Sequence, residues 1–249
     1  MRKINFFYFI FILFISTITS AIAGPPYDTD DPEPVEFRNW EFYLSSRPVH
    51  DDAGWNGTAP HAEVNYGVVN NLQLHIILPL AFNSPNGGKS NYGLGDIELG
   101  FKYRFIKETS STPQIGIFPM VDIPTGNQNK GLGNGGIQVF LPVWIQKSFG
   151  KWTTYGGAGY RINNVEGNKN SVYMGWLLQN HVRDNLSIGV ELYHITPETV
   201  NGEAENRFNI GTVYDISDNH HLLFSAGRSL SGSTSFQGYL GYQLTFGPK

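Results

Sequence analysis

The chain has 249 residues and no cysteine, and its 17 Lys and Arg against 21 Asp and Glu give a formal net charge of −4. This mild acidic balance offers no electrostatic footprint for a nucleic-acid partner. The absence of cysteine excludes disulfide bonds, so sheet hydrogen bonding and packing have to hold the fold together.

The N-terminus has the features of an export signal. Arg2 and Lys3 precede an apolar run over Ile4–Ile15, and small residues follow at Ala21 and Ala23. This order predicts a secretory signal peptide over residues 1–23, cleaved before Gly24. A retained membrane helix would need about twenty apolar residues, and Ser and Thr interrupt this run from position 16 onwards.

Residues 24–39 are rich in Pro and Asp and show no periodicity, which predicts an irregular lead-in on the periplasmic side. The aspartates at its start could suggest calcium. An EF-hand loop beginning at Asp28 would need Gly at its sixth position and Glu at its twelfth, and these positions are Glu33 and Asn39. We therefore predict no metal and no cofactor.

From Trp40 onwards, apolar and polar residues alternate with period two, as in a strand that has two different faces. Residues 40–249 are predicted to form an all-β domain, a transmembrane antiparallel up-and-down β-barrel of about twelve strands. The predicted strands are 40–47, 61–68, 72–82, 96–105, 114–123, 137–147, 152–163, 172–182, 186–195, 208–216, 221–228 and 234–246.

The connections between these segments alternate in length, with long links near Asn83–Gly95 and Thr125–Gly135 and tight turns such as Asp184 and Asn185. Long outer loops and short inner turns are typical of outer-membrane barrels. This pattern predicts that both termini face the periplasm of a Gram-negative bacterium and that the barrel lies in the outer membrane.

The parity of the strands assigns charged side chains to the lumen, because a charge on the lipid face at the bilayer midplane would cost about 2–4 kcal/mol. The segment Asp96–Phe105 shows this best, with apolar residues at the odd positions from 97 to 105. We predict a polar, solute-binding lining, with the loop Gly87–Gly95 as a constriction. Its residues are Glu41, Arg47, Glu63, His75, Asp96, Glu98, Lys102, Arg104, Arg161 and Glu191.

Three functions remain open at this stage. The first is a monomeric channel or transporter that passes small solutes by passive diffusion. The second is a barrel hydrolase acting on lipid or peptide through a rim histidine, either His50 with Asp51 and Asp52 or His61 with Glu63. The third is a barrel filled by salt bridges that does not conduct. Neither HExxH nor GxSxG is present, so we expect no enzyme and assign no catalytic residue.

Several stretches resemble a known family. They are PPYDTDDPEPVEFRNWEFY, YGLGDIELGFKYRF, FPMVDIPTGN, LPVWIQKSFGKWTTYGGAGY and YDISDNHHLLFSAGRS, which together cover most of the chain after residue 23. The chain is similar to the outer-membrane transporters grouped with the meta-pathway phenol-degradation proteins. That resemblance implies a β-barrel linked to uptake of aromatic or other small, hydrophobic compounds, and it brings no catalytic motif.

The last strand also resembles the assembly signal of outer-membrane barrels, with Gly241 followed by Leu244 and Phe246, although Gly247–Lys249 continue past the aromatic residue. The expected partners are therefore outer-membrane lipids, the barrel-assembly machinery and a small-molecule solute.

Overall fold

The computed structural model describes residues 24–248, so the predicted signal peptide lies outside the described residues. Within that range, no helix has both the length and the apolar character needed to cross a bilayer.

The described chain forms twelve strands in one sheet. Two of them, β4 and β5, each consist of two segments that continue one another. The strands are β1 (Trp40–Asp51), β2 (Gly54–Val69), β3 (Leu72–Pro85), β4 (Asn91–Leu94 and Ile97–Ile106), β5 (Gln114–Ile117 and Met120–Ile123), β6 (Gln138–Phe149), β7 (Trp152–Asn163), β8 (Ser171–Arg183), β9 (Leu186–Ile195), β10 (Glu205–Ser217), β11 (His220–Ser231) and β12 (Phe236–Phe246).

Each strand pairs antiparallel with its neighbours in sequence, and β1 pairs with β12 from Trp40 opposite Phe246 to His50 opposite Phe236. The sheet is therefore a closed barrel, and the predicted architecture is confirmed. Two-residue links at 70–71, 150–151, 184–185 and 218–219 lie at one end, which we call the turn end. The opposite end is the loop end.

The break in β5 comes from a proline. Tyr103 pairs with Ile117 on one side of the break and Gly100 with Met120 on the other, which is the same register. Pro119 has no N–H to donate to the ladder, but its carbonyl accepts the N–H of Phe101 at 3.2 Å. The wall thus continues through the interruption.

The first hairpin differs from the sequence prediction. The predicted strands 40–47 and 61–68 leave a long link between them, whereas β1 and β2 extend to within two residues of each other. The Asp51 carboxylate accepts the N–H groups of Ala53 at 2.8 Å and Gly54 at 3.1 Å, which closes a tight turn. Gly54 and Gly57 have φ values of 133° and 143°, a range that favours glycine.

The two faces of the sheet have opposite chemistry. Outward positions such as Leu74, Val190 and Phe224 are apolar and exposed, whereas inward positions include buried glutamines such as Gln146 and Gln243. At the turn end, Trp40 packs on Tyr66, with ring centroids 4.3 Å apart. An apolar exterior bordered by aromatic rings around a polar interior is the arrangement of a lipid-embedded barrel.

This assignment of faces predicts the cost of a charge on the exterior. Val190→Arg in the middle of β9 should destabilise the folded barrel by about 2–4 kcal/mol, because the guanidinium would face hydrocarbon. Leu222→Arg, near the turn end of β11, should cost only about 0–1 kcal/mol. Denaturant titration of both variants in lipid vesicles measures the difference, and equal costs would contradict the assignment.

Candidate functional site

The irregular residues before β1 lie inside the barrel. We call residues 24–36 the inner segment. Tyr27, Thr29, Asp31 and Val35 are buried, and Phe37 bridges to Gly67 before the chain enters β1. The inner segment therefore extends from the middle of the lumen to the turn end and fills part of the interior.

Two glycines in the wall make room for this segment. A Cβ on Gly189 would lie 2.9 Å from Cζ of Tyr27, and a Cβ on Gly211 would lie 2.7 Å from Cε1 of the same ring. Both distances are shorter than ordinary carbon contacts. The Tyr27 ring can lie against β9 and β10 only because these inward positions carry no side chain.

Ion pairs hold the acidic side of the inner segment. The Lys102 ammonium lies 2.9 Å from Asp30 and 3.3 Å from Asp31, and it stands 4.9 Å from the ring centroid of Phe118. Two further pairs join Arg47 to Asp28 at 2.8 Å and Arg104 to Glu33 at 3.4 Å. Breaking the buried pair at Lys102 would leave carboxylates without a counter-charge, which is strongly unfavourable.

The two aspartates beside Lys102 differ in their electrostatics. Burial raises the pKa of Asp31 well above the usual aspartate range, and the charges of Asp30 and Glu33 add to this effect, while Lys102 opposes it. Burial also acts to raise the pKa of Asp30, but the ammonium of Lys102 outweighs it and the pKa is lowered. Lys102 therefore pairs mainly with an ionised Asp30.

Hydrogen bonds fix the rest of the inner segment. The buried Glu191 carboxylate accepts the N–H groups of Thr29 and Asp28, the latter at 3.3 Å. Gln73 accepts the N–H of Val35 at 2.8 Å, and Ser225 donates to the Pro26 carbonyl at 2.6 Å. Strands on several sides of the lumen thus bind the same short stretch.

A cavity of about 510 Å³ lies between the inner segment and the loop end, and we call it the vestibule. One side carries imidazole and carboxylate groups, and the other side carries aromatic rings. The first set is His61, Glu63, His75, Glu98 and Asp122, and the second is Phe118, Phe140, Trp144, Tyr173 and Tyr193.

A smaller cavity of about 110 Å³ lies on the turn-end side of the inner segment. Both cavities are lined by Gly24, Pro25, Asp30, Glu63 and Phe118. The two spaces therefore approach each other at one place, between the start of the inner segment and the wall formed by β2 and β5.

Acidic groups predominate in the vestibule lining. Seven carboxylates face three guanidinium groups there: Asp28, Asp30, Glu63, Asp96, Glu98, Asp122 and Glu198 against Arg47, Arg161 and Arg207. Walls of low dielectric constant strengthen the electric field of such groups, so this excess of acidic side chains acts over the whole vestibule.

The structure separates the predicted lining residues into three groups. Six line the vestibule: Arg47, Glu63, His75, Asp96, Glu98 and Arg161. Glu41 and Lys102 line the smaller cavity. Arg104 and Glu191 bind the inner segment instead, with Glu191 also accepting from Asn209 at 2.7 Å.

The loop that folds into the lumen is not Gly87–Gly95, which was predicted as the constriction. Gly95 lines the vestibule, but the loop tip at Gly87 is exposed. The neighbouring loop folds inward instead, because the Asp96 carboxylate accepts the N–H groups of Gly126 at 2.9 Å and Asn134 at 2.6 Å. That loop brings the buried Leu132 to the vestibule wall.

The proposed lining omitted the aromatic wall and Arg207. Aromatic side chains occur on both the lipid face and the lumen face of a barrel, so residue type alone does not distinguish an inward Phe140 from a lipid-facing ring. Strand parity was the available signal, since Phe140 lies two residues from the polar Gln138 in the predicted strand 137–147. The inner segment also had a signal, because its five acidic residues are opposite in charge to the inward Lys and Arg side chains.

The candidate rim histidines have separate partners. Nδ1 of His50 lies 2.6 Å from the Ser235 hydroxyl, while Asp51 holds the adjacent turn. His61 is buried, and its Nδ1 lies 3.0 Å from the Thr58 hydroxyl. Glu63 accepts from Asn65 at 2.8 Å. Neither proposed pair is joined by a hydrogen bond between its imidazole and its carboxylate.

A closed antiparallel barrel with an apolar exterior and a polar lumen defines the chain as an outer-membrane β-barrel protein. A family model described as "Putative MetA-pathway of phenol degradation" matches residues 52–246, which is well over half of the chain. The chain belongs to this family, as the sequence resemblance predicted. No curated protein matches the chain in sequence.

Solved structures show the same fold. The COG4313 outer membrane channel from Pseudomonas putida F1 is 16% identical, with a TM-score of 0.72, over 88% of this chain and 100% of that chain. The NanC porin gives a TM-score of 0.58 at 5% identity, covering 84% of this chain and 100% of its own. The KdgM porin gives a TM-score of 0.56 at 11% identity, covering 82% of this chain and 99% of its own. At these identities the likeness concerns the fold alone.

The buried ion pair predicts how the inner segment can be released. Lys102→Met keeps the length of the side chain but removes its charge, which should cost about 3–5 kcal/mol because Asp30 and Asp31 lose their cation. Amide hydrogen exchange over residues 24–36 should accelerate.

The matched control is Lys147→Met, which removes a half-buried pair with Glu108 at the turn end. It should cost about 0–1 kcal/mol and leave exchange in the inner segment unchanged. Unchanged exchange in folded Lys102→Met would show that the ion pair does not hold the segment.

Proposed function

We propose that the protein is a monomeric channel that passes small solutes across the outer membrane by passive diffusion. The observation that carries this proposal is the vestibule of about 510 Å³ on one side of the inner segment, with a second cavity beyond it. A barrel filled only by side chains would have no such pair of spaces. The similar solved structures are a channel and two porins, which agrees with this role.

The proposal includes an orientation. Short turns of outer-membrane barrels face the periplasm and long loops face outward, so the turn end and both termini would be periplasmic. A solute would then enter the vestibule from the loop end and pass the inner segment on its way inward. The C-terminal strand would be read by the barrel-assembly machinery during insertion.

The family description points to aromatic compounds, and the vestibule offers rings for such a solute to contact. Six aromatic side chains line it, including Tyr27 of the inner segment, and Phe118, Phe140 and Trp144 form one packed cluster. Offset and edge-to-face ring contacts are each worth about 0.5–1.5 kcal/mol. The proposed role is non-enzymatic and requires no cofactor, since binding and diffusion account for the features of the lumen.

Single-channel recording tests the proposal, and the chain is well suited to it because it contains no cysteine. Ala81→Cys places one thiol on the vestibule wall. Leu78→Cys, three residues away on the same strand, places it on the lipid face, where Leu78 is exposed. A charged thiol-reactive reagent should reduce the conductance of Ala81→Cys and leave Leu78→Cys unchanged.

Addition of the reagent to one side at a time tests the orientation as well. Block should be faster from the loop end, because Ala81 lies toward that end of β3. Absence of conductance from correctly folded wild-type barrel would overturn the channel proposal. Equal block of the two cysteine variants would place the permeation path outside the vestibule.

A further inference from the structure

The lumen repeats one arrangement of charges and rings three times. Lys102 stands over Phe118 beside Asp30, as described above. The Arg161 guanidinium stands 5.0 Å from the Phe140 centroid and 3.2 Å from Asp122. The Arg207 guanidinium stands 6.0 Å from the Tyr193 centroid and 2.5 Å from Glu205. In each case a cation lies on an aromatic face and beside a carboxylate.

This repeated arrangement indicates which kind of charged group the lumen can bind. An aromatic face carries negative electrostatic potential, so it attracts an ammonium or guanidinium group, and the attraction grows when water is excluded. A carboxylate next to the ring supplies the full counter-charge. The protein's own Lys and Arg side chains therefore show how the lumen could bind the positive charge of a ligand.

The vestibule also has a carboxylate-rich wall that faces open space. Glu98 lies 2.9 Å from Nε2 of His75, and Glu63 lies 3.6 Å from Nδ1 of the same ring. Two carboxylates thus flank a single imidazole, which can carry at most one positive charge. The wall remains acidic even when His75 is protonated.

The aromatic wall of the vestibule is continuous. Tyr173 is stacked on Tyr193 with centroids 5.4 Å apart, and it makes edge contacts with Phe140 at 6.2 Å and Trp144 at 6.1 Å. The rings come from β6, β8 and β9, whereas Glu63, His75 and Glu98 come from β2, β3 and β4. An acidic wall and an aromatic wall therefore line the same cavity, whose volume is in the range of ligand pockets, about 300–1,000 Å³.

We propose that the vestibule binds small organic cations that carry an aromatic ring, such as arylalkyl ammonium ions, with the ammonium at Glu63 and Glu98 and the ring at the aromatic wall. This inference rests on the proposed channel function and names the class of solute. A neutral phenol would gain ring contacts but would not supply a positive charge to the two carboxylates, which share only the imidazole of His75. An aromatic carboxylate would be repelled by the excess of negative charge in the lining.

Three ligands of nearly equal size distinguish these classes: 2-phenylethylamine, which is protonated at pH 7, neutral 2-phenylethanol and anionic phenylacetate. Isothermal titration calorimetry on the folded barrel in detergent measures their affinities without requiring conduction. The amine should bind about 10-fold more tightly than the alcohol. Phenylacetate should bind most weakly. Equal affinity of amine and alcohol, or tighter binding of phenylacetate, would overturn the inference.

Two variants test the acidic wall and the aromatic wall separately. Glu63→Gln combined with Glu98→Gln keeps the shapes of both side chains and should reduce the affinity for the amine to that for the alcohol. Phe140→Leu should weaken the amine and the alcohol by a similar factor. The control, Glu166→Gln, removes a carboxylate from an exposed loop and should change neither affinity.

Heat-dependent gel mobility establishes that each variant is folded before its affinity is compared with that of wild type. Undiminished amine binding to the folded double glutamine variant would overturn the assignment of the ammonium site. The outcomes for this inference and for the channel proposal are separable. Conductance without preference for the amine removes only the inference, whereas selective binding to a barrel that does not conduct removes only the channel.

Discussion

The pairing of β1 with β12 is the constraint on which the other features of this protein depend. It joins the two ends of the sheet over a register that extends from Trp40 opposite Phe246 to His50 opposite Phe236. Closure leaves no unpaired strand edge in the lipid, where each unsatisfied backbone group would cost several kcal/mol. It also converts a two-residue sequence period into an inside and an outside, so the same parity produces both the apolar wall and the polar lumen.

A closed polar lumen creates a second requirement, because inward Lys and Arg side chains need partners. The inner segment meets this need for Arg47, Lys102 and Arg104 with its own acidic residues. Its fit depends on shape as well as charge, since Tyr27 lies where Gly189 and Gly211 lack side chains. The segment thereby divides the interior into the vestibule and the smaller turn-end cavity.

The twelve strands could be predicted from the sequence because alternation is a local signal, and a segment such as Ile97–Phe105 assigns its own faces. The position of the inner segment could not be predicted, because residues 24–36 show no alternation of polar and apolar residues. Their partners also lie far along the chain, as with Thr29 and Glu191. The aromatic wall was missed because Phe140 and Trp144 have the same side chains as lipid-facing rings. Inward charges were found, but parity alone does not indicate whether Lys102 faces water or an aspartate.

The ion pair between Lys102 and Asp30 changes the effect that loss of the Lys102 charge would have on permeation. As a free lining residue, Lys102 would weaken the acidic field of the lumen, and its removal would favour cations directly. Paired with Asp30, it instead holds a segment whose own carboxylates, Asp28 and Asp30, line the vestibule. Release of that segment would widen the path and at the same time remove two acidic groups from the vestibule. The same thirteen residues, 24–36, therefore contribute both to the width of the path and to the acidic charge of the vestibule.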